Sequence, residues 1–332
     1  MISILMSVYN ENNDILSESI HSIETQSFQD WELIIVNDNP KNKNISTFLT
    51  AKAKANPKIK LITNEKNIGL VNSLNEAFNI SRGDYIARMD ADDISLFERL
   101  EKQLSFLNSF DLDFVFSNVQ SIDETGQTNK RAVLPEMNLV DDQKIRKVIG
   151  VSDIAFHPTW LMKKSVMILL NGYRSIDSAE DYDFVIRSLR SHFKLGYQGE
   201  VLLQYRYRVD SISRSNSLRQ ERINKILQQG LLNQKKWEDW SLNQVQNMSI
   251  NALEEDKFSS ILQLGVAFKS SRKIGDIFRL SWKIFLYPKS IPSIIKRILI
   301  DKKIQRIFSM WQIARIIRTP HVSERLFVVI AS

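Results

Sequence analysis

Three aspartates, Asp90, Asp92 and Asp93, follow the apolar run Tyr85-Ile86-Ala87 in "YIARMDADDIS" (85–95). Acids this close repel one another and favour protonation unless a cation, a ligand or water compensates. A D-x-D at a strand end suits a divalent cation held between protein and a diphosphate. Mg2+ or Mn2+ takes few carboxylates and completes its shell with phosphate oxygens and water. Side chains alternate along extended backbone, so Asp90 and Asp92 are expected on one side, one for the cation and one for the ligand. A solvated turn matches the same letters. The stretch also mimics a calcium-binding EF-hand loop, with acids at its first and third positions and Glu101 at its twelfth. It fails where that loop requires an oxygen ligand and a glycine, since Ile94 and Ser95 stand there. A second acidic cluster, "SAEDYDFVIRSL" (178–189), offers a carboxylate for proton transfer or, as Ser178-x-x-Asp181, a capping box at a helix start.

The elements that must position these acids read as alternating strands and helices. "ISILMSVY" (2–9) is apolar on both faces, as a buried parallel strand would be. Ile15, Ser19/Ile20 and Ile23 then recur at helical spacing. "ELIIVN" (32–37), "IKLIT" (59–63), "YIARM" (85–89) and "LDFVFSN" (112–118) read as further strands. Helices are expected through Leu70, Leu74, Ala77 and Phe78 and from Arg99 to Asn108. This is the pattern of an α/β fold with a mainly parallel sheet flanked by helices. Such sheets bind ligands at the carboxyl ends of their strands, near a switch in strand order. Those ends carry Asn10-Glu11, Asp38-Asn39, Asn64 with Asn67 and Gly69, and Asp90 with Asp92. Polar residues at four consecutive strand ends should converge on one edge.

Composition bounds the rest. The chain of 332 residues, 43% hydrophobic and 25% charged, is an ordinary globular one, long enough for one large domain and an accessory region. Without cysteine there is no disulfide, thiolate nucleophile or cysteine-bound metal. The glycines form neither G-x-G-x-x-G nor G-x-x-x-x-G-K, which excludes the dinucleotide fingerprint and the P-loop. "MISILMSVYNEN" does not read as a signal peptide, and no apolar run approaches the roughly 18 residues of a spanning helix. A cytoplasmic location, peripheral to a membrane, is the expectation. Between Lys269 and Arg318 stand 13 lysines and arginines against Asp276 and Asp301, a local charge of +11 in a chain of net +7.

Taken in order, "SVYNE", "IIVNDNP", "NEKNIGL", "ARMDADD" and "SAEDYDF" resemble the family-2 glycosyltransferases, which have the GT-A nucleotide-diphospho-sugar transferase fold. The resemblance covers roughly residues 1–215, leaving 216–332 as an appended helical, basic region. It implies that Ser7, Tyr9 and Glu11 lie along the nucleotide, that Asp38 accepts a hydrogen bond from the base, usually uracil, and that Asn67 and Gly69 belong to the next nucleotide-side loop. It further implies that Asp90 contacts the ribose or metal shell, that Asp92 ligates Mn2+ or Mg2+, and that Asp181 is the base taking the acceptor hydroxyl's proton. Glu180 and Trp160 are acceptor-side candidates, Trp160 by stacking on a sugar face, whereas His157 is expected to be structural. The family often carries a histidine after "Y-R-x". Here the chain reads Tyr207-Arg208-Val209-Asp210, which makes Asp210 the candidate second metal ligand, with Arg208 and Arg214 candidates for phosphate.

The expected function is therefore an inverting, metal-dependent glycosyltransferase with a nucleotide-sugar donor, a UDP-sugar being expected, and a saccharide acceptor, lipid-linked or part of a surface polysaccharide. A catalytically silent sugar-nucleotide or polysaccharide binder is the alternative. Beyond residue 215, Ile291, Ile294, Ile295 and Ile298, then Ile304, Ile307, Phe308 and Trp311, repeat at helical spacing. Basic amphipathic helices of this kind suit an anionic membrane surface at the inner face of the cell membrane. They equally suit simple packing on the first domain. No nucleic-acid motif accompanies the charge, and no nucleic-acid partner is expected.

Overall fold

The computed structural model describes residues 1–176, 178–207, 217–232, 237–249 and 254. Strand β1 (Ile2–Val8) runs at the centre of a sheet, between β2 (Trp31–Asn37) and β4 (Tyr85–Arg88), parallel to both. β3 (Ile59–Thr63) lies parallel to β2 at the margin. All seven residues of β2 and all but Ser7 of β1 are buried, which is why both read as unbroken apolar runs rather than alternating ones. The chain winds from β1 outward to β2 and β3, then returns to place β4 on the other side of β1. The order thus reverses between β1 and β4, the kind of switch point at which such sheets bind ligands at the strands' carboxyl ends.

Helices α1 (Asn13–Glu24), α2 (Lys43–Ala55) and α3 (Leu70–Asn79) cover this half, whereas α4 (Arg99–Ser109) packs on the strands that follow. Asn12 starts α1 by accepting the Asp14 N–H at 2.8 Å. The buried stripe of α1 is Leu16, Ser19, Ile20 and Ile23, so Leu16 rather than Ile15 leads it.

The second half of the sheet is mixed. β6 (Phe114–Ile122) and β9 (Leu195–Arg206) are parallel to each other, and the short β8 (Leu161–Lys163) joins β6 to β4 with antiparallel pairing on both sides. β5 (Ile94–Ser95) and β7 (Thr128–Ala132) add antiparallel margins to β9 and β6. Helices α5 (Asp142–Ile149), α6 (Lys164–Leu169) and α7 (Glu180–Arg190) belong to this half.

Two further helices, α8 (Ser217–Gln228) and α9 (Trp237–Gln246), follow. Trp237 is fully buried, with the guanidinium groups of Arg174 and Arg190 5.4 and 5.2 Å from its ring. Gly230 makes room for it, since a Cβ there would stand 2.4 Å from the indole. The basic stretch 269–318 lies outside the described residues, as do Arg208, Asp210 and Arg214. Among the described residues no helix is long and apolar enough to cross a membrane.

Candidate active site

At the end of β1 the chain is held by its own neighbours. The Tyr9 N–H donates to the Glu11 carboxylate at 2.8 Å, and the Tyr9 ring is half exposed. Asp38 follows β2, and its N–H donates to the Val8 carbonyl at 2.8 Å, locking the two strand ends together. The Asp38 carboxylate is buried and accepts the Asn64 amide at 2.8 Å, the Ile68 N–H at 2.8 Å and the Gly69 N–H at 2.9 Å. A carboxylate has about four accepting positions, so one direction stays open for a ligand N–H. Asn67 is exposed and accepts the same Gly69 N–H at 3.0 Å. Gly69 has φ 84° and ψ 163°, a conformation nearly reserved for glycine, and it starts α3. Thus Ser7, Tyr9, Glu11, Asp38, Asn67 and Gly69 stand on the carboxyl edge of β1, β2 and β3.

The next strand brings the acids. The chain turns at 91–92 instead of continuing extended, and leaves Asp90 and Asp92 partly exposed while Asp93 is buried. Asp90 pairs with Arg88, Nη2 to Oδ1 at 2.5 Å, and its carbonyl accepts the Ser19 hydroxyl at 2.9 Å. Arg206, at the end of β9, braces the turn. Its Nε donates to the Asp92 carbonyl and its N–H to Asp93 Oδ1, each at 2.8 Å, and its Nη2 pairs with Glu18. Asp93, for which the sequence suggests no role, is therefore an internal anchor. Burial, then the charges of Asp90 and Asp92, push its carboxyl well above the usual range.

Among the described residues no three histidines or acids gather into a cation cage. Asp90 and Asp92 nevertheless form a hard-oxygen donor set suited to Mg2+ or Mn2+, which takes few protein ligands when diphosphate and water supply the rest.

Glu180 and Asp181 occupy the first turn of α7. Ala179, one residue beyond Ser178, stands at the N-cap and makes no side-chain cap bond. Asp181 instead accepts the Tyr182 N–H at 2.7 Å. The helix is fixed by Asp183, fully buried, which accepts Arg187 Nε at 2.8 Å and Arg174 Nε at 3.0 Å. Both acids at the helix start keep some exposed surface while protein packs densely around them, as on a cleft floor. Burial pushes Asp181 up to about 6. Burial and then the Asp181 charge push Glu180 up to about 8. Of the two, Asp181 is thus the readier to lose its proton.

Two residues of this site were not foreseen. Asp153, in the loop before the 3-10 turn His157–Thr159, feels the Asp181 charge and is raised well above the usual range, chiefly by burial. A single loop acid carries no signal in sequence. Arg88 did carry one, as a charge inside the apolar strand run "YIARM". It is buried, and its charge acts on Asp90 and Asp93 on one side and on Glu180 and Asp181 on the other.

Trp160 corrects an expectation. Its indole is fully buried, donates to the Ala155 carbonyl at 2.9 Å and packs against Phe114, Phe184 and Tyr173, so its faces are taken by the core and no acceptor sugar stacks there. His157 is structural as expected. It is buried, with Nε2 2.8 Å from the Tyr173 hydroxyl, and burial followed by the Arg88 charge holds it well below its ordinary value, hence neutral.

The parallel half-sheet with its switch point and acidic edge, joined by a second acid pair at the start of α7, is the architecture of a GT-A glycosyltransferase. The model of the family "Glycosyl transferase family 2" matches residues 3–168, and the chain belongs to that family. The chain is 38% identical to the uncharacterized glycosyltransferase MJ1057 of Methanocaldococcus jannaschii, over 62% of this chain and 70% of that protein. It is 34% identical to the O-antigen biosynthesis glycosyltransferase WbnJ of Escherichia coli, over 65% of this chain and 83% of WbnJ. The fold is similar to that of S. aureus TarS 1–349 solved with UDP-GlcNAc, with a TM-score of 0.53 at 15% identity, covering 85% of this chain and 79% of that one.

Proposed function

We propose that this glycosyltransferase moves a sugar from a uridine-diphosphate donor to a saccharide hydroxyl, with inversion and with a divalent cation, in the making of a surface polysaccharide or lipid-linked oligosaccharide. The observation that carries the reading is that Asp181, at the start of α7, feels the charges of both Asp90 and the buried Arg88 at the end of β4. Donor-side acid and candidate base thus share one small space. The UDP-GlcNAc complex of TarS and the O-antigen role in the name of WbnJ support the donor and acceptor classes.

In this reading Ser7, Tyr9, Glu11, Asn67 and Gly69 line the nucleotide, and the open direction of Asp38 takes a base N–H. Asp90 meets the ribose or the cation shell, and Asp92, with Asp210, would hold Mn2+ or Mg2+. When bound, the cation supplies positive charge against the departing diphosphate. Asp181, ionised at neutral pH, accepts the proton of the acceptor hydroxyl. The hydroxyl oxygen bonds to the anomeric carbon from the face opposite the diphosphate, as the bond to the diphosphate oxygen breaks. Glu180, protonated, can donate a hydrogen bond on the acceptor side. The domains divide as catalytic 1–215 and helical 216–332, and the basic stretch 269–318 holds the enzyme at the cytosolic membrane face, where a lipid-anchored acceptor would lie.

The test is a mass-spectrometric screen of nucleotide sugars with Mn2+ and saccharide acceptors. Donor-dependent gain of one sugar on an acceptor is expected. Binding of nucleotide sugar with neither transfer nor hydrolysis would favour the silent binding protein.

A further inference from the structure

Arg88 and Asp93 sit at the foot of the acid edge, and both have buried polar atoms without partners. On Arg88 these are Nε and Nη1, and on Asp93 Oδ2. Unpaired atoms on a buried charged group are unfavourable, and a partner that arrives in another state is one arrangement that answers them. The nearby buried cations do not fill the gap. Arg99 is committed through Nε to Gln103, Nη1 to the Met89 sulfur and Nη2 to the Arg88 carbonyl, at 3.1, 3.2 and 2.6 Å. The Arg206 side chain is committed to Glu18 and to the carbonyls of Asp92, Asp123 and Glu124.

Arg88 itself is positioned between two acids. Its Nη2 holds Asp90 Oδ1 at 2.5 Å, and its charge and that of Asp93 act on each other. Its backbone is fixed at both ends, N–H to the Trp160 carbonyl at 3.0 Å and carbonyl to Arg99, so only the side chain is able to move. Asp90, by contrast, is one-third exposed at the carboxyl edge of the sheet.

We propose that Arg88 is a positioning residue with two stations: it neutralises Asp90 while the donor site is empty, and passes to Asp93 when the cation of the donor diphosphate takes Asp90. The inference rests on the cation–diphosphate reading above. It explains why a buried arginine interrupts an apolar strand and gives Asp93 a function. It also makes Arg88 a competitor of the cation for Asp90. The protein alone then holds a divalent cation weakly, and binding becomes firm only when a nucleoside diphosphate shares the load.

Isothermal titration of Mn2+ into the full chain, with and without UDP, tests this, with thermal unfolding as the check on folding. Without UDP, Arg88→Met is expected to bind Mn2+ about tenfold more tightly than wild type, because a competing unit charge is gone. Asp93→Asn is expected to weaken Mn2+ binding in the presence of UDP by roughly threefold or more, and to have no such effect when Arg88 is already methionine. A purely structural arginine would show the opposite sign, with looser Mn2+ binding in Arg88→Met, and that result overturns the inference. Equal effects of Asp93→Asn in both backgrounds overturn it as well. Should Arg88→Met not fold, Asp93→Asn alone decides: Mn2+ affinity with UDP falls while affinity for UDP without metal holds, and equal loss of both overturns the proposal. A wild type that binds UDP without drawing in Mn2+ overturns the cation reading and this inference together.

Discussion

The Asp38 carboxylate accepts the Gly69 N–H at 2.9 Å and so ties the end of β2 to the start of α3, across the place where a nucleotide base would lie. Asp38→Ala removes three accepted hydrogen bonds: the Ile68 N–H loses its acceptor, while Asn64 and Gly69 keep only their bonds to Ser73 and Asn67. A loss of about 1–3 kcal/mol in unfolding free energy is expected, together with a raised KM for the nucleotide sugar. Denaturant unfolding and initial rates at varied donor check both parts.

Gly69→Ala separates backbone strain from packing. A Cβ at Gly69 meets nothing within 4 Å, so any cost comes from its φ of 84° alone. The variant is expected to lose about 1–3 kcal/mol and to perturb donor KM more than kcat. An unchanged melting temperature would mean that the loop relaxes.

The pH dependence follows from the acid pair. Asp181 must be ionised to accept a proton, and its value is raised to about 6, so kcat/KM should rise with pH through that region. Stability runs the other way. Between the ordinary carboxylate range and about 8 the folded protein binds more protons at Glu180 and Asp181 than the unfolded chain does, so this contribution to stability falls as pH rises. Glu180→Gln is expected to raise the melting temperature relative to wild type at pH 9, and to change it little at pH 4. Differential scanning calorimetry at the two pH values reads this.

Asp183→Asn leaves Arg187 buried with its charge partner weakened, and Arg174 likewise. Breaking a buried ion pair by removing one partner costs about 3–5 kcal/mol. Because Asp183 lies two residues beyond Asp181 on α7, kcat should fall with stability, while UDP binding at Asp38 and the Gly69 loop, which belong to other elements, is retained.

Much of this arrangement is legible in sequence, for identifiable reasons. β1 and β2 are buried on both faces, so their unbroken apolar runs mark them, and the polar residues that follow must gather at one edge. The second half is less legible. β8 is three residues long, and nothing local says that it inserts between β4 and β6 with reversed direction. Trp160 belongs to an aromatic core that tertiary packing alone assembles, from Phe114, Tyr173 and Phe184. Asp93 and Asp92 look alike as letters, yet one faces inward and the other outward, because the chain turns at 91–92 and Arg206 arrives from a strand over a hundred residues away.

The central claim is that Asp181 is the base and the strand-end acids hold the donor. Its most direct test is Asp181→Asn, with UDP-sugar binding and sugar transfer measured on the same preparation. The account predicts donor affinity within about twofold of wild type and a loss of transfer of at least about a hundredfold. Transfer that persists at the wild-type rate would contradict it and place the base on another residue.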